Sequence, residues 1–297
     1  MTTLVLATEG NRDLAATLAR RLDVELGRTT LRRFPDGESY VQIESDVAGR
    51  DVVIACTLDR PDGKLLPLYL LAATARDLGA RRVGLVAPYL AYLRQDRRFR
   101  PGEGVTSAYV ARFVGTMVDW LVTVDPHLHR YASLAEVYGI PATAVHAAPL
   151  LAKWIRMHVP TALVVGPDRE STQWVTAVAA DAGVPWTALD KVRHGDRNVD
   201  ATLTDVDRWR DRTPVLVDDI VSTGTSMVAA MRELGRHGLA PAVCVAVHAV
   251  LADGAEDALR RAGAARLVTC NTIRHPSNAI DVDPLVAAAV RDALAHA

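Results

Sequence analysis

The chain has 297 residues, of which 49% are hydrophobic, so it can form two domains of ordinary size and is not globally disordered. Its 34 basic and 35 acidic residues give a formal net charge of −1, which predicts no general affinity for nucleic acid. The sequence lacks an apolar run of about 18 residues and a signal-peptide pattern, so we expect a cytoplasmic protein that does not enter a membrane.

Short apolar runs, typical of buried strands, alternate with longer amphipathic runs, typical of helices, along the chain. In the first half, strands are predicted at 3–8, 51–57, 81–89 and 120–126, and helices at 11–22, 64–79 and 105–118. In the second half, strands are predicted at 161–168, 185–191, 214–220, 241–250 and 265–273, and helices at 170–183, 225–238 and 253–263. This alternation predicts the α/β class, with mainly parallel sheets flanked by helices, in two domains at 1–145 and 146–297.

The segment "PVLVDDIVSTGTS" (214–226) ends an apolar run at two carboxylates and passes through hydroxyls and one glycine into a helical pattern. Backbone N–H groups and hydroxyls from Ser222 to Ser226, at the start of a helix, favour a phosphate, which Gly224 lets the backbone approach. Asp218 and Asp219 would repel a phosphate but suit sugar hydroxyls, or a metal that bridges to them. A site for a phosphorylated sugar and an ordinary strand end with a Ser/Thr helix cap both explain this pattern.

Two segments of the first half carry polar clusters. "RRFPDGESYVQI" (32–43) places Pro35, Asp36 and Gly37 between strand-like runs and predicts a hairpin turn. "APYLAYLRQDRRFRPGEG" (87–104) follows a predicted strand and crowds four arginines into one loop with Gln95. Such a loop is either solvated, or its arginines clamp a polyphosphate while Gln95 contacts a base or a ribose.

Two strand ends and one charged segment complete the candidates. The strand-like runs at 121–125 and 163–168 end in Asp125-Pro126-His127 and in Asp168. Histidine and aspartate at strand ends can share Mg²⁺ with the phosphates of a nucleotide, although each residue alone is more often structural. "LDKVRHGDRN" (189–198) is either a flexible charged loop or a lid that brings Lys191 and Arg193 over a phosphoryl-transfer site.

On its own, the segment 214–226 resembles the ribose-phosphate signature of the type I phosphoribosyltransferase fold. Taken in order, the six polar stretches resemble phosphoribosyl diphosphate synthases, also called ribose-phosphate diphosphokinases. The matching motifs are F-x-D-G-E at 34–38, R-Q-D-R at 94–97, D-x-H at 125–127, P-D at 167–168, D-K-x-R at 190–193 and V-D-D…T-G at 217–226. Each motif is weak alone, but the ordered set is specific.

The resemblance implies two tandem type I phosphoribosyltransferase-like domains, 1–145 binding mainly ATP and 146–297 binding ribose 5-phosphate. It implies transfer of the diphosphoryl group of ATP to the C1 hydroxyl of ribose 5-phosphate. The implied ATP contacts are Phe34, Asp36, Gly37, Glu38, Arg94, Gln95, Asp96 and Arg97. The implied ribose 5-phosphate contacts are Arg193, Asp218, Asp219, Ser222, Thr223, Gly224, Thr225 and Ser226. Mg²⁺ would bind at His127 and Asp168, and Lys191 and Arg193 would be catalytic.

In the family, the F-x-D-G-E segment of a neighbouring subunit completes the ATP pocket. The resemblance therefore implies a homo-oligomer, either a dimer or a hexamer built from dimers.

This chain departs from the family at two places. The family's D-T-G-G-T loop is Ser222-Thr223-Gly224-Thr225-Ser226 here, so one acid and one glycine are lost and Thr225 is expected to narrow the freedom of the backbone. Glu170 stands where the family has glycine, which puts the nearby metal or substrate geometry in doubt.

A phosphoribosyltransferase that consumes the diphosphate sugar and a catalytically silent regulatory subunit are the rival functions. The arginine loop and Lys191 favour the synthase.

Overall fold

The computed structural model describes residues 2–128, 130–131, 133–167, 171–194, 198–202, 206–239 and 241–296. The chain divides into two compact units. Unit 1 is Met1–Val145 with Asp283–Ala297, and unit 2 is His146–Val282.

Unit 1 contains the strands and helices predicted for the first half of the chain, together with further strands and a short helix that were not predicted. Its strands are β1 (Thr3–Ala7), β2 (Glu25–Leu26), β3 (Thr29–Arg33), β4 (Ser39–Ile43), β5 (Asp51–Ala55), β6 (Arg82–Ala87), β7 (Trp120–Val124) and β8 (Ala142–Val145). Its first helices are α1 (Arg12–Leu22), α2 (Asp62–Asp77), α3 (Thr106–Met117) and α4 (Leu134–Tyr138). Six strands form a parallel sheet in the order β2-β1-β5-β6-β7-β8. Every residue of β5 and of β7 is buried, which explains why these strands appear as continuous apolar runs.

The strands β3 and β4 form a separate antiparallel hairpin, in which Arg33 pairs with Ser39. The hairpin turn predicted at 35–37 is therefore confirmed. Glu38 accepts the N–H of Phe34 through its carbonyl at 2.8 Å, and Asp36 Oδ1 accepts the N–H of Glu38 at 3.1 Å.

Unit 2 repeats this architecture. Its strands are β9 (Ala162–Gly166), β10 (Trp186–Ala188), β11 (Asp190–His194), β12 (Asn198–Thr202), β13 (Thr213–Val221), β14 (Ala242–Ala249), β15 (Ala264–Cys270) and β16 (Asn278–Ile280). Its helices are α5 (Ala148–His158), α6 (Thr172–Ala182), α7 (Thr225–Arg236) and α8 (Ala255–Arg261), with a short 3-10 helix at Val206–Trp209. Six strands form a parallel sheet in the order β10-β9-β13-β14-β15-β16, so the predicted α/β class with parallel sheets is confirmed.

The segment that follows β10 differs from the prediction. The sequence predicts a strand that continues to residue 191 and then a loop. Instead, β11 and β12 form a two-stranded antiparallel hairpin, in which Lys191 pairs with Ala201 and Arg193 pairs with Val199. The sequence 190–194 is rich in charged residues and alternates polar and apolar residues too briefly to indicate a strand of its own.

The last helix, α9 (Asp283–His296), belongs to unit 1, whereas the predicted second domain ran to residue 297. Its buried side chains, Val286, Ala287, Ala289 and Val290, form an apolar face. Two arginines, one on each side of the contact, fix α9 to the rest of unit 1. Arg82 donates to the carbonyl of Leu294 at 3.1 Å, and Arg291 of α9 donates to the carbonyl of Arg21 at 3.1 Å.

Within the described residues, none of the helices combines the length and the apolar character needed to cross a membrane.

Candidate active site

The sheet of unit 2 changes its winding direction between β9 and β13. From β9 the chain moves to β10 on one side, and from β13 it moves to β14 on the other. The loops that leave β9 and β13 therefore separate at the carboxyl edge of the sheet, where open α/β sheets bind their ligands. The predicted sugar-phosphate segment, 222–226, is the loop that leaves β13, so it lies at this crevice.

The loop turns into α7 at Gly224, which has a φ of +72°, in the left-handed region that favours glycine. A β-carbon on Gly224 would lie 3.2 Å from Cγ and Cδ2 of Leu259 in α8, so the loop packs closely against the next helix. Thr225 is the first residue of α7 and has no positive φ. The threonine therefore fits a helical backbone, and the expected restriction at Thr225 does not strain the loop.

The hydroxyl groups of the loop gather at the start of α7. The hydroxyl oxygens of Thr223 and Thr225 are 2.9 Å apart, and both residues are exposed. The carbonyl of Ser222 accepts a hydrogen bond from the N–H of Ala252 at 3.2 Å, which ties the loop to the segment that follows β14. Exposed hydroxyls at the N-terminus of a helix form an arrangement that can hold a phosphate.

Asp218 and Asp219 lie inside β13, which continues to Val221, in agreement with the strand predicted at 214–220. Both are half-buried, and each carboxylate accepts the N–H of the next residue, at 3.0 Å for Asp218 and at 2.7 Å for Asp219. Successive residues of a strand point to opposite faces of the sheet, so the two carboxylates are not expected to bind the same group of a ligand.

A buried histidine supports this edge of unit 2 and was not singled out from the sequence. His248 pairs with Ile220 across β13 and β14 and is 1% exposed. Its Nδ1 lies 2.9 Å from the hydroxyl of Thr272, which in turn donates to the carbonyl of Val247 at 3.1 Å. The sequence feature that could have indicated His248 is its position as a single polar residue near the end of the otherwise apolar run 241–250.

The arginine loop of unit 1, defined as residues 94–100, follows β6 at the carboxyl edge of the first sheet. Arg94, Arg97, Arg98 and Arg100 are exposed, as expected for a loop that meets either solvent or an anion. Gln95 is held at the start of α3, where its Oε1 accepts the hydroxyl of Thr106 at 3.2 Å.

Glu103 gives the arginine loop its shape. Its Oε2 accepts the N–H groups of Phe99 at 2.8 Å and of Arg100 at 3.0 Å, and its carbonyl accepts Nε of Arg98 at 3.0 Å. The guanidinium of Arg97 stacks on the ring of Phe99, 4.8 Å from its centroid. The loop is therefore a folded turn that presents several guanidinium groups, and the sequence did not indicate the part played by Glu103.

Before the arginine loop, Tyr92 donates a short hydrogen bond to Asp62 at the start of α2. This hydrogen bond, with some burial, raises the pKa of Tyr92, so its phenol stays neutral.

Asp96 differs from its neighbours in the arginine loop, because its side chain is only 5% exposed. Its Oδ2 lies 3.3 Å from Nε of Arg130, in the loop that follows β7. The family resemblance implied that Asp96 contacts ATP, but the structure turns its carboxylate inward.

His127 stands in the loop that follows β7, next to β6 in the sheet, and is half-buried. The loop begins at Asp125, which is 6% exposed and has a φ of +32°. The backbone N–H of Asp125 donates a hydrogen bond to the carbonyl of Val145 at 2.9 Å. The structure thus brings His127 and the arginine loop to the same edge of unit 1.

The hairpin of β3 and β4 exposes the F-x-D-G-E segment. Phe34 is 38% exposed and meets the ring of Tyr40 edge to face, with 5.8 Å between centroids. The guanidinium of Arg32 lies 4.7 Å from the ring centroid of Phe34 and 4.2 Å from that of Tyr40. Asp36, Gly37 and Glu38 are all exposed at the tip of the hairpin.

Comparison with known proteins gives a match over nearly the whole chain. Residues 3–117 match the model for the N-terminal domain of ribose phosphate pyrophosphokinase, and residues 134–286 match the phosphoribosyl transferase domain. A ribose-phosphate pyrophosphokinase from Methanopyrus kandleri is 36% identical over 97% of this chain and 99% of its own length. The chain belongs to the ribose-phosphate pyrophosphokinase family.

Further relatives agree with this family. The enzyme of the same name from Methanothermobacter thermautotrophicus is 31% identical over 97% of this chain and 100% of its own length. The crystal structure of phosphoribosylpyrophosphate synthetase from Mycobacterium smegmatis superposes with a TM-score of 0.88, at 25% identity, over 100% of both chains. The family resemblance and the two-domain fold drawn from the motifs are thereby confirmed.

The backbone of the family's D-K-x-R segment is described here as β11. Nothing is described of the side chains of Lys191 and Arg193, and their catalytic roles stay predictions. Asp168, the second predicted metal ligand, and Glu170 lie outside the described residues.

A pyrophosphokinase of this family would act on Mg²⁺-bound ATP. Among the described residues, no three histidine, cysteine, aspartate or glutamate side chains cluster closely enough to hold a metal ion. His127 therefore stays a predicted Mg²⁺ ligand, which would share the ion with phosphate oxygens of the nucleotide.

Proposed function

We propose that this chain is a ribose-phosphate pyrophosphokinase. The C1 hydroxyl oxygen of ribose 5-phosphate bonds to the β-phosphorus of ATP, and the bond from that phosphorus to the oxygen bridging the α-phosphate breaks. AMP leaves with the electron pair of the broken bond, and the proton of the hydroxyl passes to solvent or a base. The products are 5-phosphoribosyl 1-diphosphate and AMP.

The observation that carries this proposal is the relationship along the whole chain, at 36% identity and with both domain models in tandem. A phosphoribosyltransferase that consumes the diphosphate sugar would account for the second domain only. The first domain, with its arginine loop, is explained by an enzyme that also binds a polyphosphate.

In unit 2, the loop 222–226 binds the 5-phosphate of the sugar, and Asp218 or Asp219 binds ring hydroxyls. The support is the exposed pair of hydroxyls, at Thr223 and Thr225, in front of the N-terminus of α7. Arg193 adds a cation to this site by its likeness to the family's motif.

In unit 1, the arginine loop binds the phosphates of ATP, with Arg94 and Arg97 as the exposed cations that the family's motif provides. Gln95 contacts the nucleotide from its position at the start of α3. His127 and Asp168 would hold Mg²⁺, which would neutralise phosphate charge. Lys191 and Arg193 stabilise the negative charge that develops around the β-phosphorus.

The enzyme works as a homo-oligomer in which the hairpin tip, 34–38, completes the ATP pocket of a neighbouring copy. The exposure of Phe34 supports this part of the proposal. Mixing two inactive variants, Asp36→Ala and Lys191→Ala, should restore part of the activity, because hybrid oligomers contain an intact pocket. Light scattering on the same samples gives the oligomer size, and an inactive mixture that still forms oligomers would contradict the shared pocket.

The direct test is to incubate the purified protein with ribose 5-phosphate, Mg²⁺ and ATP and to follow AMP. We expect AMP and 5-phosphoribosyl 1-diphosphate in equal amounts, and none without the sugar. ADP as the product would point to a simple phosphoryl transfer and overturn the proposal. Absence of any product, together with activation of an added active synthase, would support the silent regulatory subunit instead. The phosphorylated substrates also agree with the predicted cytoplasmic location.

A further inference from the structure

The arginine loop contains one carboxylate that is turned inward. Asp96 lies between the exposed residues Arg94 and Arg97, yet its side chain is 5% exposed. Carboxylates are almost never buried to this degree unless they are paired. The paired cation is Arg130, whose Nε lies 3.3 Å from Oδ2 of Asp96 and whose side chain is 47% exposed.

The contact is an ion pair without a full hydrogen bond. Within the described part of the chain, Oδ2 of Asp96 is a buried atom that lacks a hydrogen-bond partner. The charge of Asp96 is therefore compensated mainly by Arg130. Loss of the arginine would leave a buried charge uncompensated, which is strongly unfavourable.

This pair joins two loops at the carboxyl edge of unit 1. Asp96 belongs to the loop after β6, and Arg130 follows β7, close in sequence to His127. A neutral contact, between the hydroxyls of Ser107 in α3 and Tyr131 at 3.1 Å, also holds this segment. The segment that carries His127 is thus connected to the arginine loop by the ion pair and to α3 by the hydroxyl contact.

An inward carboxylate is poorly suited to contact ATP. Its exposed surface is too small for a ribose hydroxyl to reach, and its negative charge would repel a phosphate. Phosphoryl transfer depends on holding the reacting groups in a narrow range of positions, so a contact that sets the distance between two binding loops affects the rate.

We propose that Asp96 is a positioning residue. It does not contact ATP but holds Arg130, and through Arg130 it sets the position of the His127 segment relative to the arginine loop. This inference rests on the proposed use of ATP, and it replaces the assignment of Asp96 as an ATP contact.

The test is a double-mutant cycle with Asp96→Asn, Arg130→Gln and the double variant, measured as KM for ATP, KM for ribose 5-phosphate and kcat. Each single variant should lower kcat/KM for ATP by about tenfold, and the KM for ribose 5-phosphate should stay unchanged. The double variant should be no worse than the worse single variant, because both changes remove the same contact. Effects that multiply in the double variant would show that Asp96 acts independently of Arg130, and would overturn the proposal.

Stability measurements give an independent readout. Arg130→Gln should lower Tm more than Asp96→Asn, because only the former leaves a buried carboxylate unpaired. The double variant should recover part of that loss. If Asp96→Asn and Arg130→Gln both keep the wild-type kcat/KM for ATP, the pair has no positioning role.

Asp119→Asn is the matched control. Asp119 directly precedes β7, at the opposite end of the strand from His127, and pairs with Arg76 at 2.9 Å. We expect it to leave the KM for ATP unchanged, and a change equal to that of Asp96→Asn would overturn the proposal. Titration of each variant with Mg²⁺-ATP alone gives the same cycle as dissociation constants. These dissociation constants can be measured even if the wild type makes no AMP from ribose 5-phosphate. Failure of the positioning role can therefore be distinguished from failure of the proposed enzymatic activity.

Discussion

Gly224→Ala is the sharpest probe of the sugar-phosphate loop, because the structure indicates two separate consequences. At a φ of +72°, an alanine is strained by about 1–2 kcal/mol relative to glycine. Reduced freedom of the unfolded chain offsets about 0.4–1 kcal/mol of this strain, so about 1 kcal/mol of stability is lost through the backbone. The new methyl group would also lie 3.2 Å from Cγ and Cδ2 of Leu259, and the adjustment adds about 1–2 kcal/mol.

Gly238→Ala separates the two consequences. Gly238 lies just beyond the other end of α7 and has a φ of +73°, but a β-carbon there would meet no atom within 4 Å. Gly238→Ala should therefore lose only the backbone part, about 1 kcal/mol, and should bind ribose 5-phosphate normally. Gly224→Ala should lose about 2–3 kcal/mol, because the contact with Leu259 is added to the backbone strain.

The assays are urea denaturation for stability and the KM for ribose 5-phosphate for function. Since the displaced loop presents the N–H groups and hydroxyls that face the 5-phosphate, Gly224→Ala should raise that KM by about tenfold, the effect of losing one hydrogen bond to a charged group. The KM for ATP should change little. A normal KM for ribose 5-phosphate in Gly224→Ala, with the expected loss of stability, would refute the placement of the phosphate at this loop.

The remaining predictions concern the other parts of the site and the stability supplied by the buried carboxylate of Asp51. Lys191→Ala should lower kcat by about 10²–10³ with little change in ligand dissociation constants, because it removes a donor that acts on the transition state. Lys191→Arg should restore only part of the rate in the same assay, and a kcat for Lys191→Ala within a few-fold of wild type would exclude the catalytic role. Gln95→Ala should weaken Mg²⁺-ATP in a binding titration and leave ribose 5-phosphate unaffected; equal weakening of both ligands would contradict the division between the domains. Burial alone would raise the pKa of Asp51, but hydrogen bonds from Arg82 and Arg81 lower it below its ordinary value of 3.8. The stability from ionised Asp51 is therefore complete above pH 3.8 and is lost as the pH falls through the lower folded-state pKa. Asp51→Asn should cost about 3 kcal/mol at pH 7, and its difference from wild type should shrink in acid denaturation; a constant difference would refute this.

The sequence predicted those features that depend on nearby residues. One continuous segment contains the strand β13, the glycine at the turn and the helix α7. The sequence alone therefore places Gly224 at the turn between the strand and the helix. The hairpin tip at 35–37 is local in the same way. The fold class followed because strands buried on both faces give apolar runs that alternate with helices.

Features that depend on distant partners could not be predicted. Asp96 resembles an exposed ligand in the sequence because its neighbours are charged. Its burial and its pairing with Arg130, a residue of another loop, are visible only in the structure. The docking of α9 on unit 1 depends on bonds to Arg21 and Arg82, which lie far away in the sequence.

The return of α9 to unit 1 affects the order in which the protein can fold during synthesis. Domains generally fold as units, starting from the N-terminus. Here the residues of unit 2, 146–282, leave the ribosome before α9 does, although the first 145 residues of unit 1 were made earlier. Unit 2 can therefore complete its sheet while unit 1 still lacks the helix that Arg82 holds. Unit 2 is a continuous insertion in unit 1, and the domain synthesised first is the one completed last.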